Sequence, residues 1–205
     1  MNRHRCTRFA YRAISAALAL LLLGSASEAA CGQSAPSPEM VTDRAHQDRT
    51  IRWPAEFDPK VAPVFSHNEL LIHANCQHTF QRFIDAKDWP NWVGFLKDVS
   101  FESPSPLRNN TLLKLTIFGS PIQSRVVEFV PNERVSWIPY GSDETETRHG
   151  HYHAWHFIPA GAGCRVLTEE TGIGPGDTKD PVKGSHLMHQ AHELWLDGLR
   201  YTSEP

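Results

Sequence analysis

Six short segments between residues 99 and 171 alternate apolar and polar side chains, and each is cut off from the next by residues that end strands. They are Val99–Glu102, Thr111–Phe118, Ile122–Val130, Arg134–Tyr140, His149–Ile158 and Cys164–Thr171. The breakers between them include "SPSP", "GSP", "PNE" and "PAGAG". Alternation gives each strand one core-facing and one outward face, and turns this short make neighbours antiparallel. After a Gly/Pro loop, "GIGPGDTKDP", Val182–Tyr201 reads as one long helix, with Leu187, Met188, Ala191, Leu194, Trp195 and Leu199 as its apolar stripe. Ahead of the run, "SHNELLIHAN" (Ser66–Asn75) reads as a strand ending on a helix-capping Asn. Cys76–Asp98 reads as helical with Phe80, Phe83 and Ile84 on one face; Pro90 breaks it, and a second short helix carries Trp92, Val93 and Leu96. This order predicts an α+β domain: a curved antiparallel sheet of about seven strands around a long C-terminal helix, with space for a cavity between them.

The start of the chain has a different character. Arg3, Arg5, Arg8 and Arg12 precede an apolar run, Ala13–Gly24, and "SEA" (Ser27–Ala29) has the small residues of a cleavage site. Residues 1–29 therefore read as a signal peptide, with a retained membrane tether as the alternative. Residues 30–62, rich in Pro, Ser, Ala and charge, read as a flexible or loosely docked linker on which Trp53 and Phe57 touch the domain at 63–205. Taking four Arg and Glu28 from the 20 basic and 23 acidic residues leaves a mature net charge of −6 and no basic cluster. Nucleic acid is thus a poor partner, and the mature chain contains no further apolar run long enough to span a membrane. Export implies an oxidising compartment, in which Cys31, Cys76 and Cys164 remain. Cys31 follows the apolar run as a lipidated cysteine would, although Glu28 stands where a lipoprotein signal has an apolar residue.

The segments "FIDAKDWPNW" (Phe83–Trp92), "VVEFVPNERVSW" (Val126–Trp137) and "HAWHFIPAGAGCRVLTEETG" (His153–Gly172), together with the closing helix, resemble the START-like, or SRPBCC, superfamily. The likeness is to its polyketide cyclase/dehydrase and lipid-transport group, over residues 64–201. It implies the helix-grip fold and an internal cavity for a small hydrophobic molecule. It leaves chemistry open, because one fold carries many functions. In the fold so implied, the first and last strands are antiparallel neighbours, so Cys76 and Cys164 can form a disulfide; two separate thiols are the alternative.

"RHGHYHAWHF" (Arg148–Phe157) holds four histidines in ten residues. Period-two alternation puts His149, His151, His153, Trp155 and Phe157 on one face and Tyr152, Ala154, His156 and Ile158 on the other. Trp155 and Phe157 mark the inward face, which carries His153 toward the cavity and His151 toward its mouth. In "TEETG", Glu170 shares a face with Cys164, Val166 and Thr168, and Glu169 the opposite one. An inward Glu170 can act as an acid or base, pair with Arg125, or sit on a rim. His151, His153 and Glu170 can also chelate a metal, against the plainer readings of a pocket lining or a solvated edge. In the closing helix, His186, His189, His192 and Glu193 read as a solvated face. The glycines of "GIGPG" (Gly172–Gly176) read as a turn or a gate rather than a phosphate loop.

No cofactor or nucleophile motif is present, and no cofactor is expected. The leading expectation is an exported binding protein for a small hydrophobic or aromatic molecule. Its cavity residues would be Leu113, Leu115, Ile117, Trp137, His151, His153, Trp155, Glu170, Met188 and Trp195. The alternatives are a cyclase/dehydrase-type enzyme in which His153 and Glu170 move protons, and a metal binder built on His151, His153 and Glu170.

Overall fold

A computed structural model describes residues 36–101, 106–141 and 149–205. The signal-peptide expectation over 1–29 and the lipidation alternative at Cys31 lie outside these residues. The described chain belongs to one compact unit that starts at Ser34.

Seven strands form one antiparallel sheet in the order β1-β7-β6-β5-β4-β3-β2. They are β1 (Val64–Ile72), β2 (Leu96–Phe101), β3 (Leu112–Ile117), β4 (Ser120–Val130), β5 (Arg134–Pro139), β6 (His151–Ala160) and β7 (Gly163–Gly172). The helices are α1 (Pro38–Ala45), α2 (Cys76–Ile84), the five-residue α3 (Pro175–Lys179) and α4 (Pro181–Ser203). Asn75 caps α2 by accepting from the His78 amide, and Asp180 caps α4 by accepting from that of Lys183. Where a second short helix around Trp92 was expected, a 3-10 turn over Ala86–Asn91 takes its place, and Leu96 already belongs to β2. Pro90 favours that tighter turn, since it can supply no amide to a continuing α-helix.

The main core lies between the concave face of the sheet and α4. Phe80, Phe83, Trp89, Trp155, Phe157 and Leu199 are all fully buried in it. Gly198 lets α4 pass against the Trp92 carbonyl, where any Cβ would collide. Cys76, the first residue of α2, and Cys164, the partner of Ile72 across β1 and β7, form a disulfide with a Cα separation of 4.8 Å.

Two expectations need correcting. The first is the linker. From residue 36 onward this segment is built into the domain as a strap. α1 packs on β1 and α4, and Met40, Ile51 and Phe57 are buried. Phe57 and Ile51 join Ile138, Tyr152, Ala154 and Leu167 in a second core on the convex side of the sheet. Hydrophobic cover is what that side needs, because Tyr152, Ala154 and Leu167 are apolar on the face that alternation assigns outward. The second correction is the stripe of α4. Leu187 and Leu194 are 50 % and 57 % exposed, whereas Ser185, Met188, His192, Trp195, Leu196 and Leu199 face the sheet.

Candidate functional site

A row of side chains crosses the concave face at one level. Ser66 on β1 stands opposite Glu170 on β7, Glu170 opposite His153 on β6, and His153 opposite Trp137 on β5. Direct cross-strand partners project to the same side, so register alone brings these four together. His192, one turn along α4 from Met188, comes down on the row from above.

The contacts are tight. Glu170 Oε1 accepts from His151 Nδ1 at 2.8 Å, and Oε2 accepts from His192 Nε2 at 2.7 Å. His153 Nδ1 lies 3.3 Å from the same Oε2. His153 Nε2 meets Thr168 Oγ1 at 2.7 Å, and His192 Nδ1 meets Ser66 Oγ at 2.9 Å. His151 Nε2 reaches Asp177 Oδ2 at 3.4 Å. Asp177 is held in turn by accepting from the Gly174 amide at 2.6 Å. His153 and His192 are 2 % and 1 % exposed. The rings of Trp137, Trp155 and Trp195 surround His153 with centroids 4.7, 5.1 and 5.8 Å away.

These surroundings set the charges. Burial pushes the His153 pKa down to about 3, with the positive fields of His192 and His151 adding to the effect and Glu170 opposing it. Burial also works against the Glu170 carboxylate. Its neighbour His153 and the hydrogen bonds from His151 and His192 outweigh that, and hold it well below the usual carboxylate range. Burial lowers His151 as well, but the hydrogen bonds to Asp177 and Glu170 carry it up to about 10. Its side chain is 42 % exposed, so water tempers those fields. The outcome is a partly buried carboxylate, its side chain 14 % exposed, touched by three imidazoles, with a second carboxylate behind the outermost of them.

The cluster lines a cavity of about 560 Å³ between the sheet and α4. Phe95, Ile117, Phe118, Pro121, Ile122 and Leu187 supply apolar wall, and Phe118, at 64 % exposed, marks the open side. Of the residues expected there, Leu115, Ile117, Trp137, His151, His153, Glu170, Met188 and Trp195 line the cavity. Leu113 and Trp155 do not: both are fully buried in the core behind it. His149 lies on the wall, and Arg125 stacks on the Tyr140 ring instead of pairing with Glu170. A wider groove of about 810 Å³ runs past Asp43, His46, His67, His189 and Glu193. The smaller cavity, apolar with a few convergent polar groups, is the one built like a ligand site.

Sequence reasoning missed His192 and Asp177. His192 was readable: it falls four residues after Met188 and three before Trp195, on their face of the helix. Asp177 was not, because its place depends on the "GIGPGDTKD" stretch folding back as α3.

No protein-family model matches the chain, and no curated protein matches it. Solved structures do. A hypothetical protein from Helicobacter pylori shares 23 % identity, with 77 % of this chain and 98 % of that one covered at a TM-score of 0.62. A Thermus thermophilus protein superposes at 0.53 with 17 % identity, over 67 % of this chain and 94 % of its own. Ara h 8.0201 superposes at 0.51 with 11 % identity, over 68 % and 96 %. The architecture is a helix-grip fold. Identities this low carry the fold and nothing finer.

Proposed function

We propose that this helix-grip domain binds a small hydrophobic or aromatic molecule bearing one polar group, as an exported protein related to the polyketide cyclase/dehydrase and lipid-transport group. The observation that carries this reading is the cavity of about 560 Å³, apolar along its walls and ending on the Glu170 cluster. Its volume is within the range of small-molecule sites, roughly 300–1,000 Å³. The walls would take an aliphatic or ring body, and the imidazoles would take its carbonyl or hydroxyl. Export is supported by the sequence of residues 1–29 and by the Cys76–Cys164 disulfide, since such bonds persist outside reducing compartments.

An enzymatic reading of the same site, with Glu170 and His153 moving a proton, stands second. Both groups are tuned away from neutrality, His153 to about 3 and Glu170 well below its ordinary range. Proton transfer is most efficient from groups near the working pH.

Native mass spectrometry of protein isolated from its own host should show a bound organic mass. Emptied protein should bind anilinonaphthalene sulfonate, used as the probe, with quenching of tryptophan fluorescence. Ala191, on the cavity wall, replaced by tryptophan should fill the space. Ala191→Trp should weaken probe binding by at least about tenfold, or roughly 1.4 kcal/mol, without unfolding the domain. Equal affinity in Ala191→Trp and wild type would overturn the reading.

A further inference from the structure

His153, His192 and Glu170 line the cavity and each offer one ligand atom, and these atoms all lie within 4.8 Å of one another. The protons decide what this convergence is for. Thr168 Oγ1 donates to the Ala154 carbonyl at 3.2 Å. A hydroxyl has one proton, so toward His153 Nε2 at 2.7 Å it presents a lone pair. Nε2 therefore carries the imidazole proton. In the neutral ring Nδ1 is then an acceptor, and it faces another acceptor, Glu170 Oε2, at 3.3 Å. His192 reaches the same oxygen: its Nδ1 is engaged by Ser66 Oγ at 2.9 Å, and its Nε2, which donates to Oε2 across 2.7 Å, becomes a ligand atom once the ring proton sits on Nδ1 and is donated to Ser66 Oγ. Two ring nitrogens and a carboxylate oxygen thus converge, and a cation among them would engage all three.

The outer contacts are those a metal site requires. A histidine that ligates a metal usually donates its other N–H to an oxygen that locks ring and tautomer; Thr168 and Ser66 stand in those places. His151 binds Oε1 on the solvent side, so it leaves Oε2 to the interior. An ion with tetrahedral bonds of about 2.0–2.1 Å holds its ligand atoms about 3.3 Å apart. The His153–Glu170 spacing of 3.3 Å already matches; the 2.7 Å between His192 and Glu170 would have to open by about 0.6 Å, and the two ring nitrogens, within 4.8 Å of one another, would have to settle at the same spacing. Two imidazoles and one carboxylate with an open position are the donor set of zinc and of neighbouring first-row ions. We infer that His153, His192 and Glu170 bind a first-row divalent transition-metal ion, with its open coordination position facing the cavity. The set differs from the one expected from sequence, with His192 in place of His151. The inference rests on the ligand-cavity reading in one respect: the ion would meet the polar group of the bound molecule.

The test uses tag-free mature protein, stripped with a chelator and dialysed against zinc alone, with an anaerobic iron(II) arm. Elemental analysis should find one equivalent of zinc or iron(II) per chain, and X-ray absorption should show two imidazole nitrogens in the first shell. His192→Ala and Glu170→Gln should each weaken uptake by at least about tenfold. Replacing two histidines outside the site, His186→Ala with His189→Ala, should leave it unchanged. Should the buried variants fail to fold, wild type decides: no stoichiometric uptake of either metal overturns the inference, as does uptake that disappears with His186 and His189. Anilinonaphthalene sulfonate binding by the stripped protein is read separately. Probe binding without metal uptake sinks the ion and leaves the cavity reading standing, whereas metal uptake without probe binding does the reverse.

Discussion

Phe57→Ala asks whether the segment before β1 is part of the fold or merely rests on it. Phe57 is fully buried, its ring centroid 6.1 Å from that of Tyr152, in the convex-side cluster with Ile51, Ile138, Ala154 and Leu167. Truncating a phenylalanine this enclosed costs about 3–5 kcal/mol in transfer free energy and residual cavity. That full cost reaches the global stability only if the strap unfolds together with the sheet. A strap that lets go by itself caps the loss at its own docking free energy. Polar contacts argue for the cooperative case. The Asp48 amide donates to Glu169 Oε1 at 2.5 Å, His189 Nδ1 meets Asp43 Oδ2 at 2.9 Å, and Arg44 donates to the Ala62 carbonyl at 3.2 Å. Urea unfolding of the mature chain, followed by circular dichroism and by tryptophan fluorescence, should lose about 3–4 kcal/mol with an unchanged slope. Val61→Ala, at a position 67 % exposed, should stay within about 0.5 kcal/mol of wild type. A Phe57→Ala loss below about 1 kcal/mol would refute the reasoning and return residues 36–62 to the status of an adsorbed linker.

Acid should loosen the same strap. His156 Nδ1 meets Asp48 Oδ2 at 3.1 Å; burial lowers the His156 pKa and outweighs the field and hydrogen bond of Asp48, which raise it. Burial opposes ionisation of Asp48, but its hydrogen bonds from Thr50 and the contact with His156 take its pKa below the ordinary value. Each folded-state value lies below the unfolded one, so both groups bind fewer protons when folded and stability rises with pH. The His156 contribution is complete above 6.5 and erodes as pH falls from there toward its folded value; that of Asp48 is complete above 3.8 and is lost through its own folded value. His156→Gln should therefore flatten the decline of Tm between pH 7 and 5, and an unchanged decline would count against this account. The Cys76–Cys164 bond closes a loop of 88 sequence positions, which stabilises by about 4.6 kcal/mol on the chain-entropy account. The double replacement by alanine should lower Tm by roughly 9–18 °C, and recovery of Cys76 and Cys164 as alkylatable thiols from freshly isolated protein would show the pairing to be wrong.

Strand periodicity made the sheet legible, and the family resemblance, by setting the first and last strands side by side, made a Cys76–Cys164 bond one of two readings for those thiols. The inward face of β6 could be chosen because Trp155 and Phe157 are larger than their neighbours; that choice carries His153 with it, to 2 % exposure. The opposite face misled for the same reason. Tyr152, Ala154, His156 and Glu169 are outward by alternation, yet all are buried, because the strap covers them. Alternation reports the side of a sheet, not whether water reaches it. The strap hid because its anchors, Met40, Ile51 and Phe57, are isolated among Pro, Ser and charge, and a segment that docks on side chains from other elements needs no periodicity of its own. In α4 the error was one of angle. Leu187 and Leu194 enlarged the apparent stripe, although the buried line runs through Ser185, Met188, His192, Trp195 and Leu199.

His192 shows why the centre of the site stayed only half visible. Its neighbours on one strand, Glu170 with Thr168, follow from period two, and His153 opposite Glu170 follows once register is known. The fourth member comes from an element 22 residues away from Glu170, and only its spacing to Met188 and Trp195 sets it apart from the histidines at 186 and 189. What distinguishes it is burial beside a carboxylate. A histidine on the core line of a helix is expensive unless its ring nitrogens are met. In this fold Ser66 meets one and Glu170 the other. A polar residue on an apolar stripe is therefore a question about partners on other elements. Here that question leads to the spot where a cavity with apolar walls ends in two ring nitrogens and one carboxylate.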